Sequence, residues 1–90
     1  MSEVLVRSFG TAVRRLREAR GWSQEQLAEH ADLNRSYVGE IERGRAIASL
    51  VTIDKLSQAF GVRSATLLGH CDALSDANAL KGTRLAAIAC

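Results

Sequence analysis

Two histidines, His30 and His70, and two cysteines, Cys71 and Cys90, are the soft metal ligands and nucleophiles of this 90-residue sequence. They do not form a set. His30 sits among polar neighbours, and His70, Cys71 and Asp72 are consecutive and point in different directions, whereas a metal needs ligands converging on one point. A Cys–His nucleophile needs a third group and a pocket, and a chain this small offers no obvious cavity. These spacings argue against an enzyme and against a metal or other cofactor. The cysteines, outside any disulfide framework, read as reduced thiols, with redox sensing at Cys71 as the alternative. Arginine is the chemistry in which the chain is rich. Ten of its 12 basic residues are arginine, the side chain suited to bidentate contact with phosphate and guanine, although a genome's base composition also produces such a bias. Arg7, Arg14, Arg15, Arg17 and Arg20 crowd the first segment. Arg35, Arg43 and Arg45 surround a later one, and the acids Glu25, Glu29 and Asp32 lie between the two groups.

The frame that must position these residues is small. Ninety residues, 47% apolar and 24% charged, make one compact globular domain and exclude multi-domain enzyme architectures. A chain of this size buries only about 60 to 65% of its unfolded surface, so self-association would help it. The net charge of +2 is too small for a non-specific polycation. Apolar runs such as Leu85 to Cys90 are far shorter than the roughly 18 to 20 residues of a membrane span, and the N-terminus lacks the apolar stretch of a secretory signal. A cytoplasmic protein without membrane contact is expected.

With no proline and apolar residues recurring at spacings of three and four, the chain reads as all-α. Phe9, Ala12, Val13, Leu16 and Ala19 form the stripe of a first helix ending at Arg20, with Gly21 as its stop. Ser23 opens a second, to Ala31, with Gln26 completing a capping box and Trp22 placed to staple onto Leu27. Asp32 and Leu33 interrupt it, and Asn34 caps a third with Val38 and Ile41 inward and Gly44 as its stop. So short a connection forces the two helices to cross steeply, as in a helix-turn-helix. Ser49 caps a fourth helix, Leu50 to Phe60, with Leu50, Ile53, Leu56 and Phe60 on one face and Gly61 at its end. A short fifth helix is expected around Ala65 to Leu68, ending at Gly69. These elements place a helix-turn-helix domain in residues 1–69 and a tail, either frayed or weakly helical, in 70–90.

The segment Trp22 to Arg45, WSQEQLAEHADLNRSYVGEIERGR, resembles the helix-turn-helix of the lambda repressor and Cro superfamily, the Xre-type regulators. Among small stand-alone members it resembles the controller proteins of restriction-modification systems. The resemblance spans Phe9 to about Gly69 and rests on small Ala28 at the helix crossing, a turn residue at Asp32, inward Val38 and Ile41, and the run Ser36 to Gly44. Three positions depart from the usual pattern. Asp32 replaces the usual turn glycine, Ala48 replaces a proline before the cap of helix four, and the serine expected at Arg63 stands at Ser64.

The resemblance implies a five-helix lambda repressor-like fold and a dimer that binds a pseudo-palindromic double-stranded DNA operator and regulates transcription. It places the N-terminal end of helix three in the major groove, where Arg35 would clamp guanine O6 and N7, Ser36 would donate or accept, and Glu40 would accept from cytosine N4. Ser23, Gln24, Tyr37, Arg43 and Arg45 would hold phosphates. Tyr37 has a second reading as filler of the helix junction, and Arg45 as a base reader. Asn34 reads as a cap, and Arg14 and Arg15 as solvated or steering charges. Arg17 and Glu42 would form an ion pair between helices one and three, or Arg17 is simply exposed. Val62, Leu67 and Leu68 would line the dimer surface. No effector domain or small-molecule effector is evident. An antitoxin whose tail wraps a toxin, and a helical interaction module without DNA binding, are the rival readings.

Overall fold

The computed structural model describes residues 2–71. Four helices are complete within them, α1 (Ser2–Ala19), α2 (Gln24–Ala31), α3 (Arg35–Glu42) and α4 (Leu50–Phe60). Helical backbone resumes at 64 and continues to 71, and this is α5. Cys90 and most of the expected tail lie outside the described residues.

Local chemistry sets the helix ends. The Ser23 side chain accepts from the Gln26 amide at 3.1 Å while the Gln26 side chain accepts from the Ser23 amide at 2.8 Å, so two otherwise orphaned donors are satisfied at the start of α2. Asp32 takes the left-handed conformation, φ 55°, that ends α2, and the Leu33 amide then donates back to the Ala28 carbonyl. An aspartate tolerates this geometry better than most residues, which is how the turn forms without glycine. Asn34 caps α3 through the Ser36 amide, and Ser49 caps α4 through the Thr52 amide.

One core joins the helices. Phe9, Ala12 and Val13 of α1, Leu27, Ala28 and Ala31 of α2, Val38 and Ile41 of α3, and Leu56 and Phe60 of α4 are buried together with Leu67 and Cys71 of α5. Burial of each larger apolar side chain contributes about 1.5 to 3 kcal/mol. Helix α1 packs on α3 and α4, and α2 packs on both as well. A glycine makes the first of these contacts possible. A Cβ on Gly10 would stand 2.2 Å from the Ile41 carbonyl oxygen and 2.9 Å from that of Glu42, so only a residue without a side chain lets α1 cross the end of α3 this closely.

Three sequence expectations are corrected, and one contact is added. Leu50 is 83% exposed, because it lies roughly a quarter-turn from the inward stripe that runs through Thr52, Ile53, Leu56 and Phe60. Gly69 does not end α5, which passes through it to Cys71. Leu67 and Cys71, four apart on one face, are both fully buried and hold the helix against the core across the glycine. Leu67 is therefore a core residue and is unavailable to a second chain. Finally, the Trp22 ring stacks on His30, with centroids 4.2 Å apart and planes 14° apart, and on Phe60 at 6.1 Å. This stack adds to the packing of Trp22 against the core at the entry to α2.

Candidate nucleic-acid interface

The N-terminal end of α3 projects from the bundle. Arg35 and Ser36, in its first turn, are both exposed, and Asn34 spends its side-chain oxygen on the Ser36 amide, which makes it a cap. One turn on, Glu40 and Arg43 lie on the same side of the helix. Arg35, Ser36, Gly39, Glu40, Arg43 and Gln24 of α2 line one shallow polar concavity. Gly39 forms its floor, with Gln24 Oε1 and the Arg43 guanidinium both 3.2 to 3.3 Å from where a Cβ would stand. The structure thus gathers the three expected base readers with two of the expected phosphate contacts. Ser23 is exposed at the start of α2, where the first backbone amides and the positive dipole end favour an anion. Arg45 is exposed beyond the end of α3.

Other expected residues have protein partners. The Tyr37 hydroxyl lies 3.2 Å from Thr52 Oγ1 and donates to the Ile47 carbonyl at 3.5 Å, while its ring packs against the core. Tyr37 therefore ties α3 to the start of α4. The Arg17 guanidinium grips Glu42 at two points, 2.7 and 3.0 Å, and donates a third bond to the Trp22 carbonyl at 2.7 Å. The pair is buried, with side-chain exposures of 13% and 3%, and hydrogen bonding to Glu42 raises the Arg17 pKa above its ordinary value. Gln24 joins it by donating to Glu42 Oε1 at 3.0 Å, so one carboxylate anchors α1, the start of α2 and the end of α3. This cluster sets how α3 is presented. Of the expected dimer residues, Val62 is half-buried against the core and Leu68 is exposed, whereas Leu67 has no surface left to offer.

Sequence reasoning missed three features. Glu40 and Arg43 are ion-paired to each other, a pairing that their spacing of three on a helix makes available. Hydrogen bonding from Arg43 holds the Glu40 carboxyl below the usual carboxylate range. Arg20 lies over the Trp22 and Phe60 rings and donates to the Phe60 carbonyl, closing α1 onto the end of α4. Lastly, an apolar groove of about 110 Å³ opens between the start of α1, the loop 45–49 and α5. Exposed Val4, Leu5, Ile47, Leu50, Val51 and Leu68 lie on the same three elements and the start of α4. Among the described residues, no group of three His, Cys, Asp or Glu side chains is placed to hold a metal ion. No helix among them is long and apolar enough to cross a membrane.

A helix-turn-helix family profile matches residues 13–67, which takes in α2, α3 and the whole concavity. The chain belongs to the Xre-type helix-turn-helix family. Within it, the chain is similar to the control protein C.BamHI of Bacillus amyloliquefaciens, 43% identical over 70 residues that cover 71% of this chain and 86% of that protein. It is also similar to the control protein C.MunI of a Mycoplasma species, 37% identical over 80% of this chain and 97% of that one. The crystal structure of the restriction-modification controller protein C.AhdI from Aeromonas hydrophila superposes with a TM-score of 0.66 at 49% identity, covering 70% of this chain and 94% of that one. Like these Xre-type relatives, the chain has the all-α, lambda repressor-like architecture and is a transcription regulator by family, not an enzyme.

Proposed function

We propose that this Xre-type protein is a sequence-specific regulator that binds a pseudo-palindromic operator as a dimer, with α3 in the major groove. The observation that carries the reading is the exposed first turn of α3, where Arg35 and Ser36 stand beside a polar concavity whose other side chains, Gln24, Glu40 and Arg43, are held in place by Glu42 or by each other. Arg35 reads a guanine edge, Ser36 an adjacent base and Glu40 a cytosine amine, each good bidentate pair discriminating by about 1 to 3 kcal/mol. Ser23 and Gln24 at the start of α2, and Arg43 and Arg45 at the end of α3, hold phosphates and fix the register. Tyr37 acts mainly as the brace between α3 and α4, because its hydroxyl already has protein partners.

The dimer uses the apolar face of Val4, Leu5, Ile47, Leu50, Val51 and Leu68. These large apolar residues are exposed, two of them by 76% and 83%, on a domain too small to leave such a surface idle. Selection of bound duplexes from a random-sequence library tests the reading. It should return two inverted half-sites with centres roughly 10 base pairs apart, one turn of the duplex. A folded protein that enriches no sequence would overturn it.

A further inference from the structure

We propose that Glu40 and Arg43 form a latch that suppresses binding to non-cognate DNA. On this account Glu40 holds the Arg43 guanidinium away from phosphates until a base edge takes the carboxylate in exchange. The proposal rests on the DNA-binding reading above and deepens it. Glu40 is the one acidic residue lining the concavity, among Arg35, Ser36, Gln24 and Arg43. A carboxylate there faces a polyanion, a position that weakens sequence-independent attraction. Its side chain is paired with Arg43 across one helical turn, and both remain about half exposed, so the pair can open without disturbing the core. Arg45 acts on the same carboxylate through space, and it too can reach a phosphate.

The energetics make this an exchange rather than a lock. An exposed ion pair is weak, so a hydrogen bond from a cytosine amine to Glu40 together with a phosphate on Arg43 replaces it readily. On a sequence with no donor facing Glu40, freeing Arg43 leaves the carboxylate unpaired beside phosphates. The latch then stays shut, and one cation per subunit is withheld from the backbone. Glu40 thus determines specificity both by reading a base and by rationing a phosphate contact.

Wild type, Glu40→Gln, Arg43→Gln and the double variant should be compared on a short mixed-sequence duplex across a salt series, with thermal melts confirming that each is folded. Glu40→Gln should bind the mixed duplex about 1.5- to 5-fold tighter per subunit, the equivalent of an exposed ion pair. Its salt dependence should steepen by about 0.9 per subunit, the signature of one more neutralised phosphate. In the Arg43→Gln background the same substitution should leave the slope unchanged. An equal gain and an unchanged slope in both backgrounds would mean that Glu40 merely repels DNA, and would overturn the latch. A second readout needs no DNA. The Glu40 carboxyl should titrate at lower pH in wild type than in Arg43→Gln, and coincident titrations would overturn the latch even if operator binding holds. If the folded wild type binds no duplex while the titrations differ, the DNA-binding reading fails and the ion pair stands only as a helix contact.

Discussion

Removing the Glu42 carboxylate should be among the most damaging single changes available in this chain. The side chain is 3% exposed and accepts two bonds from Arg17 and one from Gln24. Glu42→Ala leaves the Arg17 guanidinium buried with one remaining partner, the Trp22 carbonyl. Breaking a buried pair by deleting one member costs about 3 to 5 kcal/mol, because the surviving charge has lost both water and its counter-ion. Set against roughly 5 to 13 kcal/mol for a 90-residue domain, that is a large share of the total. For a domain of this size it corresponds to a drop in Tm of about 12 to 40 °C. Urea and thermal unfolding followed by far-UV circular dichroism would measure it. The double variant Arg17→Met, Glu42→Leu, which removes both charges, should lie nearer the wild type than Glu42→Ala does. A loss below about 1 kcal/mol for Glu42→Ala, the size expected of a surface pair, would refute the claim that this cluster anchors α3.

Further outcomes follow from single contacts. Gly10→Ala should destabilise by about 1 to 3 kcal/mol or more in denaturant titrations, because the new Cβ overlaps the Ile41 carbonyl and forces α1 off α3. Ile47→Asp and Leu50→Asp should shift sedimentation toward monomer with little change in monomer stability, since both residues are exposed, whereas Leu67→Asp should unfold the domain. The Glu40 carboxyl has a lower pKa in the folded than in the unfolded chain, through its hydrogen bond from Arg43. Its contribution to stability is therefore complete above the usual carboxylate range and disappears as pH falls through the lowered value, and the difference between wild type and Glu40→Gln in pH-dependent melts should follow that sign.

What the sequence revealed divides along physical lines. The capping box at Ser23 and Gln26, the Asn34 and Ser49 caps and the left-handed turn at Asp32 were legible because each depends on atoms a few residues apart. The facing of Leu50 and the burial of Leu67 were not, because apolar spacing gives a stripe without saying where a partner helix ends. The persistence of α5 past Gly69 follows from Leu67 and Cys71 meeting the core, a tertiary effect that outweighs glycine's poor helix propensity. At the interface, residue types and spacing placed Arg35, Ser36, Glu40 and Arg43 on one helix. The family resemblance supplied the expectation that Arg17 would meet Glu42. Neither indicated that Gln24 would turn inward to Glu42 or that Glu40 would pair with Arg43, since each of these side chains had several partners within reach.

The central claim is that the first turn of α3 reads base edges, and Arg35→Ala tests it most directly. Binding of wild type and variant should be measured by titration on the selected operator, on operators changed at one base pair per half-site, and on mixed-sequence duplex. The account predicts a loss of about 1 to 3 kcal/mol per half-site on the operator, loss of discrimination at one position in each half-site, and a much smaller change on mixed-sequence DNA. Equal losses on every duplex, at unchanged stability, would contradict it and make Arg35 a phosphate contact.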